Sequence, residues 1–178
     1  MVVERVRPDE CVELVARNIL IVQGNLAVTY RKLGRNEETL RLKLDVYSGR
    51  SKLHGEEHLE TIRAAHNYAN SLLDLRRFEE AKSLVRRTIP VARRVLGEEH
   101  SLTLRMSLIY GWALYKDPVA TRDDLREAVE TLESVAKSCQ QLFGVAHPDT
   151  SNVLNALANA RKKLAAAAPA ASASKPPP

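Results

Sequence analysis

The chain has 178 residues, with 27 lysines and arginines against 22 acids for a formal net charge of +5, and is 44% hydrophobic but only 4% aromatic. That length fits one domain, the aliphatic bias suits a helical array better than a sheet protein, and no apolar run is expected to be long enough to span a bilayer. The opening residues, with Glu4, Asp9 and Glu10, make neither a secretory nor a transit sequence, so the expected compartment is the cytosol. There Cys11 and Cys139, which lack zinc or redox spacing, would stay thiols.

In chain order, helices are expected over residues 9–33, 36–53, 59–75, 78–95, 101–116, 121–142 and 148–164. Phe78, Ala81, Leu84 and Val85, or Leu125, Ala128 and Leu132, recur at the three-and-four spacing of a helix face. Between helices a phrase returns: Gly55, Glu56, Glu57, His58 with Thr61, then Gly97, Glu98, Glu99, His100 with Thr103. It returns again, worn, as Gly144, His147, Pro148, Asp149 and Thr150. Each glycine is expected to end a helix in the left-handed conformation, and each histidine to stand at the next helix start. Pro148 then suits the first turn, and Glu60 or Asp149 suits the positive end of the dipole. The histidines lie one repeat apart, too far to share a metal, and no second ligand stands at a metal-site spacing.

The first interval between phrases is 42 residues and the second 47. The extra five are expected in a lengthened loop at Asp117, Pro118 and Val119, after which Thr121 and Asp124 restart the helix as a capping box. The same period aligns Ala27, Ala69, Gly111 and Ala158, small residues that would let two helices approach closely. Such a period means stacked helical hairpins, each burying its apolar face against its neighbours. The expected organisation is a lead-in over 1–11, an array over 12–164 with units near 12–55, 56–97, 98–144 and 145–164, and an Ala/Pro/Ser-rich disordered tail over 165–178. The last unit has one helix only.

The small residue, the aromatic or leucine, the break and the following alanine and aliphatics resemble tetratricopeptide repeats. The 42-residue unit and the glycine-to-histidine phrase resemble the repeats of kinesin light chains and nephrocystin-like proteins, over roughly residues 12 to 164. The resemblance implies an all-α superhelical solenoid of about three and a half hairpins, without catalysis or cofactor, whose first helix in each pair lines a concave face. The inward positions are then Asn25, Arg31 and Lys32; Arg63, His66, Asn67, Asn70 and Asp74; Arg105, Ile109, Trp112, Tyr115 and Lys116; and Asn152, Asn155, Asn159, Lys162 and Lys163. Kinesin light chains hold acidic, aromatic-containing peptides with asparagines of this motif. Asn25 and Asn67 match its second asparagine and Asn155 its first, whereas unit three has Leu108 and Ile109 there.

That face collects seven basic residues and one acid, so an acidic peptide is the expected ligand. The asparagines would hydrogen-bond its backbone, and Trp112, beside an Ile109 pocket, would supply an apolar anchor. His66 and Asp74 are about 12 Å apart along the helix and read as spectators rather than a catalytic pair. Two other functions stay open. One is a structural scaffold, part of a longer array or self-associating through its ends. The other is single-stranded nucleic acid binding, which the sequence pI of 9.4 permits but the lack of interleaved aromatics disfavours.

Overall fold

The computed structural model describes residues 7–167. The residues before 7, and the part of the expected disordered tail from 168 onward, lie outside the described residues. Among those described, seven helices follow one another: α1 (Pro8–Lys32), α2 (Asn36–His54), α3 (Leu59–Asp74), α4 (Phe78–Leu96), α5 (Ser101–Lys116), α6 (Arg122–Phe143) and α7 (Pro148–Ala166). Each packs on the next, and α5 also packs on α3 and α7. The result is a stack of hairpins α1/α2, α3/α4 and α5/α6, with α7 last among the described helices.

The repeated phrase folds as three identical joints. His58, His100 and His147 are helix N-caps whose Nδ1 accepts the backbone N–H of Glu60, Leu102 and Asp149 at 3.2, 3.2 and 3.1 Å. An acceptor there satisfies one of the donors that a helix start leaves unpaired. The preceding glycines depart from the expected left-handed helical conformation. Gly55, Gly97 and Gly144 have φ of 80, 95 and 80° but ψ of 169, 159 and 166°. This is an extended, positive-φ region that is essentially closed to other residues.

The five extra residues of the third unit are not all loop. Helix α6 has 22 residues against 19 in α2 and in α4, so three of the five are helical and two lengthen the connection. The Thr121–Asp124 capping box starts α6 early. The connection itself is pinned. The Asp117 carboxylate accepts the Val119 N–H at 3.0 Å and lies 3.6 Å from the Lys82 ammonium.

The small-residue position works where a hairpin is complete. Ala27, Ala69 and Gly111 are buried, and a Cβ on Gly111 would stand 2.7 Å from Leu132 Cγ. Ala158 is exposed, because no described helix follows α7 to cover it. The aliphatic core runs through Ile62, Leu72, Val85, Met106, Leu114, Leu125, Leu132 and Val153, all below 2% exposure.

Helix α1 corrects one expectation. Its stretch Cys11–Lys32 has the length and composition that could cross a membrane, and only 11% of its apolar window is buried. The sequence reading missed it because Glu13 and Arg17 interrupt the apolar run.

Candidate functional site

The inner helices α3, α5 and α7 pack directly on one another in sequence, but α1 makes no such contact with α3. The reason lies under them, on α2. One 42-residue step carries Lys43 onto Val85 and the following 47-residue step carries it onto Leu132, both fully buried. The same steps carry Arg50 onto Ala92 and Cys139, also buried. Unit one therefore holds two cations at positions that are core in the later units. An ammonium or guanidinium cannot be sealed there without a partner, and a gap opens between α1 and α3.

Two cavities occupy this gap. One, about 170 Å³, is lined by Gly24 and Val28 of α1, Lys43 and Val46 of α2, and Ala64 and Asn67 of α3, with Arg31 at its rim. Burial pushes the Lys43 ammonium below the usual lysine value, nearby Arg31 adds to this and Asp74 opposes it. The other, about 340 Å³, is lined by Arg17, Leu20, Ile21, Arg50, His54, His58 and Glu60. There Arg50 is already matched, its guanidinium donating to Glu60 at 2.5 Å.

The expected site residues divide into groups. Arg31 and Asn67 come together at the smaller cavity. Asn25 and Lys32 are exposed nearby on α1. His66 lies between two amides, its Nδ1 3.3 Å from the Asn67 side chain and its Nε2 3.2 Å from Asn70. No hydrogen bond joins it to Asp74 among the described residues. Burial holds this imidazole below the ordinary histidine value, with Arg105 and Lys43 adding to the shift and the Asn67 hydrogen bond opposing it.

Further along, the Lys116 ammonium sits 4.7 Å from the centre of the half-buried Trp112 ring. Burial pushes the Tyr115 hydroxyl above the ordinary tyrosine value, with Asn159 opposing the shift. Asn152, Asn155 and Lys162 are exposed on α7.

Three expectations need correction. Ile109 is 1% exposed within the core, so it makes no surface pocket beside Trp112; its side chain is consumed where α5 meets its neighbours. Lys163 does not offer a free charge, since its ammonium donates to the Tyr115 and Asp117 carbonyls at 2.8 and 2.7 Å. The face also carries more than one acid. Arg63 pairs with Glu60 at 3.0 Å and Arg105 with Asp149 at 2.9 Å. Glu60 and Asp149 stand at the same repeat position, in the first turn of an inner helix where the dipole favours a carboxylate. Lys43 escapes a sequence reading in which only first helices are expected to line the groove. The signal is present in the sequence: the 42- and 47-residue intervals set a lysine against a valine and then a leucine.

Residues 18–94 match the tetratricopeptide repeat family. No curated protein matches the chain in sequence. Among solved structures, a kinesin light chain-like protein of Podosopora anserina with nearly identical TPR-like repeats superposes with a TM-score of 0.72 at 24% identity, covering 83% of this chain and 67% of that one. A single-substitution variant of it gives the same score over 66% of its length. BtubC (BKLC) of P. vanneervenii gives a TM-score of 0.72 at 19% identity over 85% of this chain and 59% of its own. The chain thus spans just under two thirds of the variant and less of BtubC. Repeat, period and superposition agree on the fold: residues 18–94 match the tetratricopeptide repeat family, and the described residues form an all-α tetratricopeptide-type superhelix like that of the kinesin light chain-like structures.

Proposed function

We propose that the chain is a non-enzymatic adaptor that holds an extended acidic peptide along its concave face, seated at the gap between α1 and α3. The tetratricopeptide superhelix is an architecture for protein partners. The observation that carries the finer reading is the cavity where Arg31, Lys43 and Asn67 converge over Val28, Val46 and Ala64. Its volume of about 170 Å³ is below the roughly 300–1,000 Å³ of small-molecule sites. It suits one side chain of a longer ligand. An acidic side chain there would relieve the repulsion between Arg31 and Lys43, and the Asn67 amide can donate to and accept from the peptide backbone. Beyond it Arg63 and Arg105, each paired with a carboxylate that a bound acid would compete with, lead to Lys116 and the Trp112 ring, which would supply the apolar contact.

The test is a titration of labelled acidic peptides, with and without a central aromatic, beside a single-stranded RNA of equal charge. Lys43→Glu, Asn67→Ala and Arg105→Glu should each weaken the peptide while leaving helicity intact. Unchanged affinity in all three would sink the proposal. Tight RNA binding that collapses as salt rises would favour the nucleic-acid reading instead.

A further inference from the structure

Helix α1 packs on α2 through the buried Leu20 and Ala27, with Leu20 lying against Gly49. Its opposite side carries Val12, Val15, Ile19, Val22, Leu26, Thr29 and the capping Leu33, all exposed, Val12 to 70%, Ile19 to 52% and Val22 to 65%. Their spacing alternates three and four without a break. That is an a/d seam, running about 32 Å along the helix. A contiguous apolar stripe of this size marks an interaction surface.

We propose that this seam pairs with the same seam of a second copy, as an antiparallel, two-fold symmetric helix pair. Three observations select that occupant. The a/d pattern is complementary to itself: with the two helices antiparallel, Val12 faces the copy's Thr29, Val15 its Leu26, and Ile19 its Val22, so every central layer contains apolar groups. Between residues 11 and 30 the only charges are Glu13 and Arg17, and these neutralise each other at 2.5 Å away from the seam. Along the seam a charged partner therefore finds nothing to pair with, and toward an anionic membrane surface this stretch of α1 lacks the basic polar face that interfacial helices use. Finally, residues 9 and 10 are acidic in sequence and residues 31 and 32 basic. An antiparallel pair sets opposite charges end to end, whereas a parallel pair sets like against like.

The seam does not depend on the peptide groove, whose residues Val28, Arg31 and Asn67 lie toward the gap. The experiment is sedimentation equilibrium of the full chain over a wide concentration range, beside Ile19→Lys and Val22→Glu. Both sites are exposed, so circular dichroism should match the parent. The expected result is a dimer that dissociates on dilution, with the dissociation constant raised at least a hundredfold in either variant. A parent that stays monomeric throughout, or a dimer that both variants preserve, would overturn the proposal. Flotation with phosphatidylcholine vesicles separates the membrane outcome: vesicle binding lost in the variants, without dimerisation of the parent, overturns it equally.

Discussion

Arg105 on α5 and Asp149 on α7 meet at 2.9 Å across 44 positions of sequence, and the pair neutralises the one arginine that a bound acidic peptide would encounter in the third unit. The arginine is 55% exposed and the aspartate 30%, so water screens the attraction. Asp149→Asn should therefore change unfolding free energy by less than about 1 kcal/mol. The same variant frees Arg105 and should tighten acidic peptides a few-fold. Denaturant melts and peptide titration read the two effects separately, and a loss of affinity would show that the pair itself shapes the groove.

The glycines offer a second comparison. At Gly111 a Cβ meets Leu132 Cγ and Cδ2 at 2.7 Å, whereas at Gly24 nothing lies within 4 Å. Gly111→Ala should destabilise by about 1–3 kcal/mol through overpacking. Gly24→Ala should stabilise by up to about 1 kcal/mol through helix propensity. Chemical denaturation checks the opposite signs, and equal effects would refute the packing argument.

The repeated joint predicts a third outcome. His100→Ala removes the acceptor for the Leu102 N–H and should cost about 1 kcal/mol, with His100→Ser restoring most of it. Gly97→Ala forces a side chain to φ 95° and ψ 159° and should cost about 1–3 kcal/mol. If serine fails to rescue, the histidine ring is acting by packing rather than as a cap.

Acidification should weaken the fold through His66. Its folded-state value is depressed, chiefly by burial, so the unfolded chain takes up the proton first. Stability is then full above the ordinary histidine range and declines as pH falls through about 6.5. The decline levels off once the folded form is protonated too. His66→Gln should flatten that part of the pH profile in thermal melts, and an unaltered profile would rule the group out.

Much of this architecture was legible in the sequence because it repeats. Seven helices, the three His-capped joints and the Thr121–Asp124 box all rest on local residue chemistry that any one unit declares. What escaped depends on where a unit sits in the stack. Ala158 is the same small residue as Ala69, yet it is exposed because nothing described follows it. Ile109, expected at an inward groove position, is instead sealed within the core. Lys43 could have been found by comparing units, but the opening of the gap around it is a property of three helices together.

Lys43 and Arg50 should also set the order in which the molecule comes apart. A solenoid is held by the sum of its neighbour contacts, and the first hairpin replaces two apolar contacts of that sum with cations while its inner helix stands clear of the next. Amide exchange in α1 should accordingly outpace exchange in α5, and thermal unfolding should begin at the amino-terminal end. A ligand that fills the gap stitches this loose hairpin to the rest, so binding would be read out as cooperativity: a chain that melts in steps when empty and all at once when occupied.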